Sequence, residues 1–269
     1  MPIAFKCAGA LLTLAVVSVR ASTVPQDSHA VPSPQTLSER VPIEATIKAG
    51  ASHQYRMNLR SQQFVRFLIT QRGIELTLKL IAPSGKIVAD RAGSTGAYEP
   101  QRLLLVTEEV GSYTLALRPQ PGQSTGRYEV ALAETRESQP ADGNLSEADT
   151  LVSRGNELFN KDTQTSLGEA IDLYQKALAL WRIAGDREAE TRTLLQIGRA
   201  FTSRHDVEPA THYLDEALDA SAAAGDRVLE AAAQMTFSDL YLGMSDAAKG
   251  LERGQRALEL RADAKTTTH

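Results

Sequence analysis

The C-terminal half of this chain repeats itself at a fixed step of 40 residues, and that periodicity limits the fold more than any other feature. Ala170, Ala177-Leu178 and Gly185-Asp186-Arg187 recur as Ala210, Ala217-Leu218 and Gly225-Asp226-Arg227, and Ala257-Leu258 marks a third copy. Gly198 and Phe201 map in the same way onto Ser238 and Tyr241. A unit of this length cannot bury its apolar side alone, so repetition predicts stacked units with a continuous core. The apolar and small residues recur at helical spacing, which predicts three helical hairpins: 146–160 with 167–183, 188–203 with 207–223, and 228–243 with 246–261. Each Gly-Asp-Arg supplies a punctuation mark. Glycine accepts the left-handed conformation that ends a helix, and the aspartate side chain caps the next one.

Upstream the period changes to two. Tyr55, Met57 and Leu59 alternate with polar neighbours, as do Ile74, Leu76, Leu78 and Leu80, then Tyr113, Leu115 and Leu117, then Tyr128, Val130 and Leu132. Alternation of this kind marks strands buried on one side. With Gly- and Pro-bearing turns between them, about eight short strands are predicted near 43–48, 53–59, 63–71, 74–82, 86–91, 101–107, 112–118 and 127–134. Short, regularly spaced strands without intervening helices predict an antiparallel sandwich. The expected fold is therefore multidomain: an all-β antiparallel sandwich over 42–136, a linker over 137–145, and an all-α solenoid of about three hairpins over 146–262.

The first residues read as an export signal. Residues 1–6 carry one positive charge, residues 8–19 are almost wholly apolar, and Val19-Arg20-Ala21 offers a small-x-small cleavage site. That apolar run of 12 residues is shorter than the roughly 20 a membrane span requires. The expected layout is a signal peptide over 1–21, cleaved near Ala21, a disordered spacer rich in Pro, Ser and Gln over 22–41, and a disordered tail over 263–269. Retention of the first segment as an anchor is the alternative. The expected location is periplasmic or secreted. The single cysteine, Cys7, lies in the signal segment, so the mature chain would hold no disulfide, thiolate metal site or cysteine nucleophile.

A net charge of −4 argues against a nucleic-acid surface. The charge is divided, however. Residues 42–136 hold 12 Lys and Arg against 8 Asp and Glu, whereas residues 145–262 hold 13 against 20. An acidic array favours a partner with basic segments, or attracts the basic sandwich of its own chain.

Catalytic patterns are missing from the sequence. It has no nucleophile elbow, phosphate loop or dinucleotide glycine pattern in a fitting context. Of the five histidines, His29 lies in the spacer and His269 is terminal; His205 and His212 flank a predicted turn without a third ligand. His53 starts a strand beside Tyr55 and is expected to pack in the sheet. Glu108 and Glu109 read as a solvated turn, and Asp90 with the 93–96 loop offers too few oxygens for calcium. Trp181, near a helix end, is expected to pack against the next hairpin. No cofactor and no metal are implied.

Two resemblances add to this reading. Gly198-x2-Phe201, Ala210 and Leu214-x2-Ala217 resemble the tetratricopeptide repeat, with small residues where two helices cross and large ones in the wedge between them. Gly155, Leu158, Ala170, Tyr174 and Ala177 fit the same pattern with three more residues in the turn, while Ser238, Gly250 and Gly254 depart from it. The family's proline after the second helix is missing. The strand region, through His53-x-Tyr55, Phe64-Val65-Arg66, Ala82-Pro83-Ser84-Gly85, Gly111-Ser112-Tyr113 and Gly126-Arg127-Tyr128, resembles the pre-peptidase C-terminal type of sandwich. Together they resemble the front part of bacterial CHAT (caspase-like) proteins, in which a peptidase domain follows the repeats; here the sequence stops at His269.

The repeat resemblance implies a concave groove lined by first helices, with Asn156, Asn160, Arg192, Arg199 and Asp239 facing a protein or peptide partner. Asn156 falls where such groove clamps place an asparagine. The expectation is an exported, non-enzymatic interaction module, an adaptor or scaffold. Replacing Asn156 and Arg199 by alanine is expected to weaken partner capture with no change in the thermal transition. Two alternatives stand beside it: the regulatory front half of a split or truncated caspase-like peptidase, and envelope or carbohydrate binding through the sandwich.

Overall fold

In the computed structural model, residues 34–91 and 100–266 are described. The expected signal peptide, most of the expected spacer, the 93–96 loop and the last three residues lie outside them. Among the described residues nine strands come first: β1 (Gln35–Thr36), β2 (Ile43–Lys48), β3 (His53–Leu59), β4 (Gln63–Arg72), β5 (Leu76–Ile81), β6 (Ile87–Arg91), β7 (Pro100–Val106), β8 (Gly111–Pro119) and β9 (Thr125–Glu137). They form a five-stranded sheet in the order β1-β3-β8-β5-β6 and a four-stranded sheet in the order β2-β9-β4-β7. All pairings are antiparallel except that of β1 with β3. The alternating side chains read from the sequence form the shared core, with Tyr55, Met57, Leu76, Leu78, Leu115 and Leu117 from one sheet and Phe67, Ile69, Tyr128 and Val130 from the other. The sandwich also takes in residues that the sequence pattern left in the spacer. β1 adds a parallel edge, Leu37 is 2% exposed in the core, and Glu39 accepts hydrogen bonds from Thr135.

One irregularity has consequences. The register of β4 on β9 pairs Arg66 with Glu134 but Phe67 with Leu132, leaving Ala133 as a bulge. Strict alternation would put Arg136 on the same face as Val130 and Leu132; the extra residue reverses it. Arg136 instead sits outside the sandwich, its guanidinium 4.3 Å from the Phe64 ring centre.

Six helices follow: α1 (Asp142–Phe159), α2 (Gln164–Ala184), α3 (Arg187–Arg204), α4 (Val207–Ala224), α5 (Arg227–Gly243) and α6 (Ala247–Thr266). They pair as three consecutive hairpins, with α6 running beyond the point where the sequence pattern stops. Gly185 and Gly225 end α2 and α4 in the left-handed conformation, at φ 72° and 67°. Asp186 then accepts the Ala189 N–H, and Asp226 accepts those of Val228 and Leu229. Close helix crossings depend on missing side chains. A Cβ at Gly155 would lie 2.4 Å from the Tyr174 ring, and one at Gly198 would lie 2.6 Å from Leu214.

Sandwich and hairpins are not separated by a free linker; they belong to one compact unit. Phe64 and Leu104 of the sandwich share a buried cluster with Ala148, Ala177, Trp181 and Ala189 of the helices. Trp181 therefore packs on the sandwich as well as against α3, because the outer face of β4 and β7 covers the first hairpin where no preceding hairpin exists. Three arginine–aspartate pairs frame this cluster. Arg91 donates to Asp149 at 2.6 Å, Arg102 to Asp186 at 3.3 Å, and Arg136 to Asp142 through two bonds of 2.5 and 2.7 Å. Part of the charge division between the two halves is thus satisfied within the chain. Burial by itself would raise the Asp142 carboxyl, but the Arg136 guanidinium and the Gln139 N–H hold it below the ordinary aspartate range. Asp149 also accepts the N–H of Leu104 at 2.8 Å, which closes a backbone donor on the outer edge of β7.

Candidate functional site

Helical register decides which residues share one face of the hairpins. Asn156, Arg199 and Asp239 stand at equivalent places on α1, α3 and α5, separated by steps of 43 and 40 residues. A groove of about 540 Å³ runs across these three helices. Phe159, Val207, Leu240 and Met244 supply apolar lining, Thr202, Ser203 and Thr236 supply hydroxyls, and Arg199 and Asp239 supply opposite charges. The Arg199 guanidinium lies 5.9 Å from the Phe159 ring centre, within the range of a cation–π contact. Among the described residues neither Arg199 nor Asp239 has an oppositely charged partner within salt-bridge distance, although both are exposed and line one groove.

The other expected groove residues are placed differently. Asn156 is half-buried, and its Oδ1 accepts the Tyr174 hydroxyl at 2.8 Å. Tyr174 is 1% exposed, and burial raises its phenol above the ordinary range. Asn156 thus has an internal structural task, so its replacement by alanine is not neutral for stability. Asn160 is exposed just past α1 and lies outside the groove lining. Arg192 is tied to Glu188 at 3.1 Å one turn earlier and also stays out of it.

His205, which sequence reasoning set aside, lines the groove and has a left-handed backbone at φ 63°. Asp162 and Ser245 hold the same conformation in the other two hairpin turns, at φ 50° and 62°. Glycine would be the less strained choice at all three turns. The signal for His205 was its distance of 40 from Ser245, a match with no chemical likeness. His212 pairs with Glu216 at 3.1 Å instead of approaching His205, and no metal-holding cluster of His, Cys, Asp or Glu occurs among the described residues.

The sandwich also contains a polar chain that includes a histidine. His53 Nδ1 lies 2.7 Å from the Tyr128 hydroxyl, which lies 2.6 Å from that of Tyr55. His53 is packed in the sheet, and burial lowers its imidazole below the ordinary histidine range. Burial raises both phenols. Glu109 accepts both the backbone N–H and the hydroxyl of Ser84, so the expected solvated turn also fastens the neighbouring one. No helix among the described residues is long and apolar enough to cross a membrane.

No family model matches the sequence, and no curated protein matches it. Solved structures similar to part of the chain include PliG of Aeromonas hydrophila, a periplasmic inhibitor of g-type lysozyme, at 8% identity and a TM-score of 0.30, covering 36% of this chain and 92% of that one. The pre-peptidase C-terminal domain of a Bacillus anthracis collagenase is similar at 18% identity and a TM-score of 0.30, with the same two coverages of 36% and 92%. The CBM51-2 and INT domains of Clostridium perfringens ZmpB, in a structure with GlcNAc, are similar at 10% identity and a TM-score of 0.24, covering 51% of this chain and 35% of that one. No family membership follows from values of this size.

Proposed function

We propose that this protein is an exported, non-catalytic interaction module of tetratricopeptide type whose concave groove holds a segment of a protein partner. The observation that carries this reading is the pair of exposed, opposite charges, Arg199 and Asp239, which line one groove of about 540 Å³ with apolar side chains and have no oppositely charged partner within salt-bridge distance among the described residues. An extended or helical segment matches such a groove by placing an apolar side chain on Phe159 and Leu240 with a charge at either side. Unpaired charges at a rim select and steer partners more than they add affinity. A catalytic reading lacks support from the same groove: His205 stands there without a hydrogen-bonded nucleophile among the described residues.

Selection of a random peptide library against the chain tests the reading, followed by fluorescence anisotropy of the winning peptide. Arg199→Glu and Asp239→Lys should each weaken binding about tenfold or more, the size of one rim charge turned repulsive. Equal binding by the wild type and both variants would remove the groove. Sugar binding through the sandwich is less favoured. Tyr55, Phe64, Phe67, Tyr113 and Tyr128 are all buried, so among the described residues no aromatic ring of the sandwich is free to stack on a sugar.

A further inference from the structure

The repeat makes one face of the last hairpin unusual. Ile171 and Leu178 of α2 are each 4% exposed, packed in the cluster that includes Leu194 and Leu195 of the following helix. Leu218 of α4 is half-buried in the same cluster. The equivalent residues of α6, Leu251 and Leu258, are 64% and 63% exposed. Repeat positions whose side chains are buried in the first hairpin, and half-buried in the second as Thr211 and Leu218, thus carry leucines in the last one that are largely uncovered.

We propose that a second copy of this chain covers that face, through an antiparallel two-fold contact of α6 with α6 centred on Gln255. Ala248, Leu251, Gln255, Leu258 and Ala262 are spaced by three and four residues, so they share one side of the helix, and all are exposed. Read in either direction the stripe has the same order of side chains, alanine, leucine, glutamine, leucine, alanine. A two-fold axis requires this self-complementarity, because each contact then occurs twice. Leu251 of one copy meets Leu258 of the other, and the two Gln255 carboxamides face each other with a donor and an acceptor each.

Charge fixes the direction. Lys249, Glu252, Arg256 and Glu259 lie along one flank of the stripe and alternate in sign. An antiparallel partner brings the same flank of both copies together and sets Lys249 against Glu259 and Glu252 against Arg256, whereas a parallel partner meets this flank with its opposite flank and leaves these four charges without one another. The existing pairs on this flank, Arg256 with Glu259 at 3.1 Å, Arg256 with Glu230 at 4.0 Å and Lys249 with Asp246 at 3.2 Å, are mostly exposed and rearrange at little cost. Two leucines per copy make a small contact, consistent with a dissociation constant in the micromolar range. Two copies joined in this way present two grooves, which strengthens binding to a multivalent partner by effective concentration.

Sedimentation velocity of the full chain from about 1 to about 100 µM should show monomer passing to dimer. Leu251→Glu with Leu258→Glu should remain monomeric throughout with an unshifted thermal transition, since both leucines are exposed in the single chain. Glu252→Lys with Glu259→Lys, and Lys249→Glu with Arg256→Glu, should each be monomeric alone and form a mixed dimer when combined. A wild type that stays monomeric, a dimer that survives the leucine variant, or charge variants that fail to pair on mixing would each overturn the proposal.

Discussion

Removal of the Asp149 carboxylate should separate the unfolding of the sandwich from that of the hairpins. The Arg91 and Asp149 side chains are 12% and 8% exposed, and Asp149 is shared between the Arg91 guanidinium at 2.6 Å and the Leu104 N–H at 2.8 Å. Asp149→Ala leaves a cation largely out of water and an edge N–H without its acceptor. Breaking a buried pair from one side costs about 3–5 kcal/mol, and an orphaned donor costs about 1–3 more. Arg91 keeps its bond to the Arg102 carbonyl at 2.9 Å and retains some contact with solvent, so the lower end applies, about 3 kcal/mol. The loss falls on the seam, because Asp149 belongs to neither the sandwich core nor the main hairpin core. Trp181, the sole tryptophan, lies in that seam and reports on it by fluorescence. In urea the wild type should show coincident fluorescence and far-UV circular dichroism transitions. With an m-value of about 3 kcal/mol/M, the fluorescence midpoint of Asp149→Ala should fall by about 1 M and precede the dichroism transition. Asp149→Leu combined with Arg91→Met should recover most of the loss, because a neutral apolar pair removes the stranded charge. Coincident transitions with a shift below about 1 kcal/mol, or strictly additive single effects, would refute this account of the seam.

Two further outcomes follow from single contacts. Asn156→Ala should lower stability by about 1–2 kcal/mol, seen as a drop in Tm, because it strands the buried Tyr174 hydroxyl; adding Tyr174→Phe should return part of it. His53 titrates less readily folded than unfolded, since burial lowers its pKa. Its contribution is therefore full above the unfolded histidine value of about 6.5 and declines as pH falls below it, until the folded histidine is itself protonated. Urea midpoints measured between pH 8 and pH 5 should show this decline (roughly the range over which histidine titrates), and His53→Asn should flatten it; an unchanged slope in the variant would exclude His53 as its source.

Two of the residues that line the groove, Arg199 and Asp239, could be read from the chain because helical register is a local property. The 43- and 40-residue steps put Asn156, Arg199 and Asp239 on one face, and the structure brings Arg199 and Asp239 to one groove. Which of these are free to bind was not legible. Asn156 is occupied by a tyrosine on the next helix and Arg192 by a glutamate one turn away, and such pairings depend on side-chain geometry that spacing does not report. The part played by residues 34–41 was hidden for a related reason: a single leucine in a Pro-rich stretch has no periodicity, and Leu37 is recognised as core only once the sandwich is closed around it.

By itself the sequence determined eight of the nine described strands, the six helices and their order, and missed β1. Alternation, the 40-residue step and the Gly-Asp stops act over a few residues or a few turns, so strands and hairpins follow from local chemistry. Only the tertiary structure decided that sandwich and hairpins form one unit. The bulge at Ala133 turns Arg136 outward toward Asp142, Asp149 reaches the edge of β7, and His53 meets Tyr128 from 75 residues away. Each of these joins side chains whose complementarity exists in three dimensions and has no period along the chain.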